Sequence, residues 1–388
     1  MKLLHVYDLI SPSRGGGMVT TIRNVTSILA QRGHEVSLYT SDYQIDSSHI
    51  EALPEVRVRA FNCVSHAGNF FFTPSMIMEA RRDVKDFDVI HLHSLRSFQN
   101  IVVCHYARKH GIPYVIDAHG SVPRTTSSRW NLKWFLKWGF DITFGYRILH
   151  NSTKVIGETS LAYSEHLAMG VPREKISIIA PPFNIEDFFS LPPAGLFRKK
   201  FGINSEFIIM FLGRIHWIKG IGFLAESFAE LSNKRKDIKL IIAGPDDGYQ
   251  AELEKLVSRL GLQERVIFTG FISGTDKLEA LVDADVVVQT SVYEHGTVVP
   301  FEAVLCGTPI IVSRDTVASE NVRNIDAGYL VEYGNVPTLV AALQHVMDNI
   351  EEAREKAQRA AKWVQENMSL GKGGEKYEEV YAEVTGRL

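Results

Sequence analysis

The sequence of 388 residues has few cysteines, no long apolar run and little net charge. Cys63, Cys104 and Cys306 lie far apart without a CxxC pair, which disfavours a disulfide framework or a zinc site and favours a reducing compartment. No window of 18 apolar residues occurs, so no membrane-spanning helix is expected. A net charge of −3 gives no reason to expect a nucleic-acid partner. Composition therefore predicts a globular cytoplasmic protein, at most peripheral on the inner face of the membrane.

Short β-rich runs alternate with helical patterns along the chain. The predicted strands before residue 181 are KLLHVYDLI, EVSLYTS, VRVRAF, DVIHLHS, YVIDAHG, KVIGET and ISIIAPP. After the proline-rich stretch 181–193 the series restarts with FIIMFLG, KLIIAG, VIFTG, VVVQTS and PIIVS. This order predicts an α/β protein with two Rossmann-like, doubly wound domains facing a central cleft. We predict one domain over 1–183, with a final helix at about 372–388 packing on it, and another over 184–371.

Two features follow strands of the first domain. Three glycines, Gly15 to Gly17, are predicted in the turn after the first strand, where backbone amides approach an anion at a helix start. Tight turns use glycine for other reasons, and the spacing is not G-x-G-x-x-G, so a dinucleotide site is poorly supported. His119 follows the fourth strand. A lone histidine is more often structural than catalytic, so its position leaves both roles open.

The second domain has basic residues after its first strand. GRIHWIKG places Arg214 and Lys219 five residues apart. A solvated basic turn is one interpretation. Two cations at the mouth of a cleft also suit a diphosphate, since arginine grips phosphate with a bidentate fork and lysine acts as a point charge.

The segment SVYEHGTVVPFEAVLCGTPIIVS carries Glu294 and Glu302. Pro300 is predicted as the first residue of a helix, with Glu302 in its first turn, where an acid favours the helix dipole by about 0.3–1 kcal/mol. Alternatively, that carboxylate accepts both hydroxyls of a ribose and Glu294 those of a second sugar. The amides of Thr297, Val298 and Val299 would then face the phosphates between them. The ligand suggested is a nucleotide sugar.

These motifs, taken in order, resemble those of the retaining family 4 glycosyltransferases of GT-B fold over essentially the whole chain. Glu294 and Glu302 match the E-x7-E motif and precede the expected A-x-x-C-G-T-P. GRIHWIKG matches G-R-x-x-x-x-K-G, LIIAG the following strand, and HEVSLYT after RGGG the N-terminal region. The sequence departs from the family where E-G-F-G-L-P is replaced by EHGTVV. It departs again where P-N-G-V-D is replaced by Ala180 to Asn184, which affects the usual asparagine role.

The resemblance implies a role for each matched residue. Arg214 and Lys219 bind the donor diphosphate, Glu302 the ribose, and Glu294 the transferred sugar. His119 lies against that sugar, so the catalytic candidates are His119, Glu294, Arg214 and Lys219. The remaining donor contacts are assigned to Gly16 and Gly17 on the phosphate side and to Phe271 and Ile272 beside the nucleobase. The first domain would bind the acceptor and the second the donor.

The implied reaction moves a sugar, with retention, from a nucleotide-diphosphate sugar to a saccharide or lipid-linked saccharide acceptor in glycan synthesis. A UDP- or GDP-sugar donor is expected as a substrate, with no cofactor and no metal. Asp283-Ala284-Asp285 fits a DxD string, but its place between a helix and a strand is typical of capping or pairing acids. A nucleotide-sugar epimerase of similar fold and a donor-binding protein without activity are the alternatives.

A basic aromatic segment at 124–147 is the candidate acceptor or membrane element. Trp130, Trp134 and Trp138 recur every four residues, and a neighbouring stripe consists of Arg129, Lys133 and Lys137. Such a helix can lie in a membrane interface. It can equally pack its tryptophans into the domain. The first interpretation favours a polyprenol-linked acceptor, and the second a soluble sugar.

Overall fold

The computed structural model describes residues 1–45, 50–51, 53–68, 70–122, 132–294, 298–314 and 316–387. The chain forms two units. The first comprises Met1–Asn184 together with Met368–Leu388, and the second comprises Ile185–Asn367. The change of unit after residue 184 falls inside the proline-rich stretch 181–193.

The first unit is built on a parallel sheet. In chain order its strands are β1 Lys2–Val6, β2 Glu35–Ser41, β3 Val56–Phe61, β4 Ser65–Ala67, β5 Phe70–Phe72, β6 Val89–His93, β7 Tyr114–Asp117, β8 Lys154–Gly157 and β9 Ile176–Ile178. The sheet order is β3-β2-β1-β6-β7-β8-β9, and β4 and β5 form a separate antiparallel hairpin. Both faces of the sheet are buried in apolar clusters, which explains why its strands are almost continuously hydrophobic.

Helices cover both faces of this sheet. They are α1 Pro12–Gln31, α2 Ser75–Asp83, α3 Phe98–His110, α4 Leu132–Phe140, α5 Tyr146–Asn151 and α6 Ser160–Ala168. Local sequence sets their ends. At the start of α3 the Ser97 side chain accepts the Asn100 N–H at 3.1 Å, and Gly111 ends the helix with φ +70.

The glycine triplet lies inside α1, so the prediction of a glycine turn before the helix was wrong. The helix begins at Pro12. Proline is favoured in a first turn because its φ is already helical and its missing N–H would have no partner there. That preference and the burial of the rest of α1 outweigh the poor helix propensity of glycine, about 1 kcal/mol per residue. Gly16 and Gly17 consequently occupy the second turn of α1.

The second unit has its own parallel sheet. Its strands are β10 Phe207–Leu212, β11 Ile238–Ala243, β12 Val266–Gly270, β13 Val286–Gln289, β14 Ile310–Ser313 and β15 Tyr329–Val331, in the order β12-β11-β10-β13-β14-β15. The helices are α7 Leu196–Phe201, α8 Ile221–Lys234, α9 Gln250–Arg259, α10 Gly274–Asp283, α11 Val299–Leu305, α12 Val317–Ile325, α13 Val336–Asp348 and α14 Ile350–Asn367. A large apolar cluster joins the strands to α8, α9, α13 and the start of α14.

The last helix, α15 Leu370–Thr385, belongs to the first unit. Tyr377 and Tyr381 are buried in the cluster beneath it, against β1 and β6. At its start the Phe183 N–H donates to the Met368 carbonyl at 2.6 Å, so the chain leaves and re-enters this unit side by side. The first unit therefore contains both ends of the chain.

The predicted α/β fold with two doubly wound parallel sheets is confirmed. In each sheet the strand order reverses at one point, between β1 and β6 and between β10 and β13. Ligands of such sheets bind outside the carboxyl ends of the strands at this reversal. A ligand site is therefore expected in the loops that follow these four strands. No helix in the described ranges combines the length and apolarity that a bilayer span requires.

Candidate active site

Two glycines let the loop after β10 approach the loop after β11. A Cβ on Gly244 would lie 1.9 Å from the Gly213 carbonyl oxygen, so only glycine fits. The next residue, Arg214, forms an ion pair with Asp247 on the loop after β11. Both side chains are more than 40% exposed. The predicted phosphate-binding arginine is thus held at the surface end of the strands.

Lys219 and Glu294 meet at the strand-order reversal of the second unit. The Lys219 ammonium is ion-paired with Glu294 Oε2, and both side chains are largely buried. The Ser291 hydroxyl donates to the same carboxylate oxygen at 3.3 Å. Two residues that the sequence assigned to one ligand are therefore in direct contact, on the loops after β10 and β13.

Backbone contacts hold these two loops together. The Val292 N–H donates to the Ile218 carbonyl at 2.8 Å, and the Thr290 hydroxyl donates to the Gly220 carbonyl at 3.0 Å. Gly220 has φ +66, and a Cβ there would lie 2.0 Å from the Thr290 carbonyl oxygen. The glycine of the K-G pair is therefore required by close approach of backbone, and the approach fixes Lys219 beside Glu294.

Glu302 lies in the first turn of α11 and is 8% exposed. Its Oε1 accepts a hydrogen bond from the Lys277 ammonium of α10 at 2.8 Å. Lys277 was missed by sequence reasoning because only the fold brings residue 277 next to residue 302. Each acid of the E-x7-E pair thus has its own lysine, and the two carboxylates occupy separate places.

The other predicted donor contacts lie around α11 and β12. Thr297 lies outside the described residues. Val298 is the N-cap of α11 and Val299 its first residue, and no side chain caps this helix among the described residues. Phe271 and Ile272 follow β12, where the Phe271 ring is 56% exposed. Val298 and Val299 are thus at a helix start, and the helix begins one residue before the predicted first residue, Pro300.

In the first unit His119 follows β7 with a left-handed backbone, φ +44. Its Nδ1 lies 2.8 Å from Glu158 Oε1, and its Nε2 lies 2.9 Å from Nδ1 of His93. The backbone N–H of His119 also donates to Asp117 Oδ1 at 3.1 Å. Sequence reasoning missed Asp117, Glu158 and His93, although each stands at or beside the carboxyl end of a strand.

Charge at His119 is controlled by its two acids. Burial alone would lower the pKa of His119, but the charge of Asp117 and the hydrogen bond and charge of Glu158 raise it to about 9. Burial raises the pKa of Asp117 to about 7, opposed by the charge of His119. The two acids therefore favour the protonated form of His119.

Helix α4 carries the described part of the basic aromatic segment; Arg129 and Trp130 lie outside the described residues. The rings of Trp134 and Trp138 stack at 6.3 Å between centroids, and Trp138 is exposed. Further exposed apolar side chains are Leu132, Phe135, Leu136, Ile142 and Phe144. At the end of α4 the buried Asp141 forms an ion pair with Arg96 at 2.9 Å, which anchors the segment.

The acids of the DxD string have structural partners. The Arg198 N–H at the start of α7 donates to Asp283 Oδ2 at 2.9 Å. Asp285 Oδ2 accepts the Arg198 guanidinium at 2.6 Å and the Ile208 N–H at 2.8 Å. Asp283 therefore holds the start of α7, and Asp285 connects α7 to the start of β10, in agreement with capping and pairing roles.

Comparison with known proteins gives the class. Residues 195–363 match the family described as glycosyl transferases group 1, and residues 15–187 match glycosyltransferase family 4. Two solved structures are similar over 99% of this chain and 100% of theirs, each at 18% identity. They are Anabaena HepE in complex with UDP and glucose, TM-score 0.81, and WaaG, a glycosyltransferase involved in lipopolysaccharide biosynthesis, TM-score 0.77.

Two relatives in sequence cover most of this chain. An uncharacterized glycosyltransferase of Methanocaldococcus jannaschii is 28% identical over 90% of each chain. The N-acetyl-alpha-D-glucosaminyl L-malate synthase of Bacillus anthracis is 24% identical over 96% of this chain and 95% of its own. Fold and matches together define a glycosyltransferase of GT-B fold. The chain belongs to the family 4 glycosyltransferases.

Proposed function

We propose that this glycosyltransferase moves a sugar, with retention, from a UDP- or GDP-sugar to a saccharide or lipid-linked saccharide. The observation that carries the proposal is the meeting of Lys219 and Glu294 at the strand-order reversal of the second unit, with Arg214 on the same loop. HepE, bound to UDP and glucose, supports the choice of donor. The second unit binds this donor, and the first unit binds the acceptor.

In the proposed reaction the bond between the sugar and the diphosphate breaks while the acceptor hydroxyl attacks the same face. The acceptor proton goes to a phosphate oxygen of the leaving group. Neither Glu294 nor Glu302 is a nucleophile, because a retaining pair of carboxylates would face one bond and these have separate lysine partners. Arg214 and Lys219 stabilise the charge that grows on the diphosphate. We propose no metal ion in this step.

Glu302→Ala is expected to weaken nucleotide binding by about 10- to 100-fold. The reason is the loss of two charge-assisted hydrogen bonds to the ribose hydroxyls, each worth about 1.5–3 kcal/mol before partial compensation by water. Lys277→Ala should give a smaller loss, because Glu302 keeps its charge but loses the lysine that orients it. A thermal-shift screen over UDP-, GDP- and ADP-sugars first finds the donor, since bound ligand stabilises the protein. Calorimetry with that nucleotide then compares the variants.

Exposed Lys255 on α9 provides the control, and Lys255→Ala should bind as the wild type does. Unchanged affinity in Glu302→Ala would show that the acid serves only its helix. Conversion of the donor to another nucleotide sugar without acceptor would identify an epimerase and contradict transfer.

We propose further that α4 docks on anionic membrane, which makes the acceptor lipid-linked. The exposed side chains of Leu132, Leu136 and Trp138 enter the headgroup boundary, and the basic side chains meet lipid phosphates. Each basic residue near such a surface is worth about 1 kcal/mol, an effect that salt weakens.

Removing both the apolar contact and the positive charge of α4 is expected to abolish vesicle binding. Leu132→Ser with Leu136→Ser removes apolar contact, and Lys133→Glu with Lys137→Glu reverses charge; each pair should lower co-sedimentation with phosphatidylglycerol vesicles at least about tenfold. Ile178→Ser changes another exposed apolar residue, on β9, and should leave binding unchanged. If the wild type fails to sediment at low salt, the helix is a packing element and the acceptor is soluble.

A further inference from the structure

A row of histidines lies on one buried face of the first sheet. His5 of β1 is the register partner of His91 of β6, and His93 follows two residues later on the same face. All three are at most 1% exposed, and the His119 side chain at the end of β7 is 4% exposed. Four imidazoles buried together are expected to have hydrogen-bond partners, as buried polar groups normally do.

Three of these rings form a hydrogen-bonded chain that starts at a carboxylate. Glu158 Oε1 contacts Nδ1 of His119 at 2.8 Å, Nε2 of His119 contacts Nδ1 of His93 at 2.9 Å, and Nε2 of His93 contacts Nδ1 of His5 at 3.0 Å. Among the described residues, nothing bonds Nε2 of His5. We call Glu158, His119, His93 and His5 the histidine chain.

The protons in this chain have two possible arrangements. The carboxylate of Glu158 accepts, so Nδ1 of His119 carries a proton. If His119 is an imidazolium, its Nε2–H donates to His93, whose Nε2–H donates to His5. If His119 is neutral, its Nε2 accepts from the Nδ1–H of His93, and Nε2 of His93 accepts from the Nδ1–H of His5. The tautomers of His93 and His5 thus report the charge on His119.

The surroundings favour the imidazolium. The acids that face His119 are Asp117 and Glu158, at 3.4 and 2.8 Å from Nδ1. The other neighbours stay neutral. Burial lowers the pKa of His5 to about 3 and holds those of His91 and His93 well below the ordinary value, and the Tyr377 and Tyr381 phenols of α15 have pKa values raised by burial. The positive charge that Asp117 and Glu158 favour is therefore assigned to His119.

The same rings do not suit a metal ion. His5, His91 and His93 are close enough to be considered as a ligand set. The angles between ring planes are 24° for His91 with His93, 21° for His5 with His93 and 43° for His5 with His91. The His91 and His93 rings are stacked with their centroids 4.2 Å apart, so their lone pairs, which lie in the ring planes, point in separate layers and not at one ion. The 3.0 Å contact between His5 and His93 is a hydrogen-bond length.

We propose that Glu158, His93 and His5 are positioning residues that hold His119 as an imidazolium with both ring N–H groups bonded inside the first unit. His119 then acts on the transferred sugar through its fixed charge and place, and does not exchange protons with substrate. This inference rests on the proposed function together with the contact between His119 and the transferred sugar that the family resemblance implies. It agrees with a mechanism in which the donor phosphate takes the acceptor proton.

Nitrogen-15 NMR of the histidine-labelled full chain tests the proposal in the wild type. At pH 7 we expect His119 protonated at both nitrogens, and His93 and His5 neutral with the proton on Nε2. In Glu158→Gln the chain should reverse, with His93 and His5 protonated on Nδ1. Glu174→Gln, which changes an exposed acid of the same unit, should resemble the wild type.

Kinetics then test the role in transfer. Glu158→Gln should lower kcat at least about tenfold with little change in the acceptor KM, and its activity should fall as pH rises through about 6.5, the ordinary histidine value. The wild-type rate should show no such dependence on His119 between pH 6 and 8. A neutral His119 at pH 7, or Zn²⁺ binding that shifts the His5, His91 and His93 signals together, would overturn the proposal. Because NMR needs no turnover, failure of transfer itself would be seen separately.

Discussion

Lys219→Ala is expected to lower kcat at least about tenfold, with a smaller change in KM. In the proposed reaction negative charge grows on the diphosphate as it leaves, so a cation that contacts it stabilises the transition state more than the ground state. The Lys219 side chain is 14% exposed and its ammonium is already close to a carboxylate, so its charge acts where water screens little. The variant also leaves Glu294 with an uncompensated, largely buried charge.

Steady-state kinetics with the donor found by thermal shift measure the effect. Lys234→Ala, at the exposed end of α8 in the same unit, is the matched control and should keep the wild-type kcat. A rise in KM alone would mean that Lys219 holds the donor in the ground state and plays no part in stabilising the leaving group.

Lys219 differs from Arg214 in a way that the sequence could not show. Both stand in one motif, but the Arg214 guanidinium is 44% exposed and paired with Asp247, itself 42% exposed. Such a pair is worth little in the absence of ligand, because water screens both charges. Arg214 therefore has no strong competing partner, whereas in the proposed reaction Lys219 would exchange Glu294 for the diphosphate of the donor.

The strands of both sheets were predictable because buried parallel strands are nearly continuous β-branched runs. The strands that were missed lack that signal. The hairpin of β4 and β5 has three residues on each side, with exposed residues throughout β4, and β15 also has three residues. Three residues are too few for a local pattern to distinguish a strand from a loop, even where the partner strand is adjacent in sequence, as in the hairpin of β4 and β5.

The sequence predicted only those site residues whose spacing along the chain forms a motif. Glu294 and Glu302 stand eight apart, and that spacing is visible in the sequence. The lysine partners of these acids could not be predicted from a local motif, because Lys219 is 75 residues from Glu294 and Lys277 is 25 from Glu302. The histidine chain is likewise assembled from β1, β6 and the ends of β7 and β8.

Gly220→Ala is expected to destabilise the second unit by more than about 3 kcal/mol and to weaken donor binding. The residue has φ +66, a conformation that costs an alanine about 1–2 kcal/mol. In addition, its Cβ would lie 2.0 Å from the Thr290 carbonyl oxygen, a backbone atom that cannot move away as a flexible side chain could. Relief requires the loop of Lys219 to separate from the loop of Glu294, which disrupts their ion pair.

Gly261→Ala is the matched control for this prediction. Gly261 has φ +70 at the end of α9, and a Cβ there would meet nothing within 4 Å among the described residues. Alanine at 261 therefore carries the conformational cost of about 1–2 kcal/mol without the collision. Urea unfolding followed by circular dichroism compares the two variants, and the excess loss in Gly220→Ala measures the close approach of the loops. Equal losses would show that the two loops separate easily, and Lys219 would then owe its position to its charge alone.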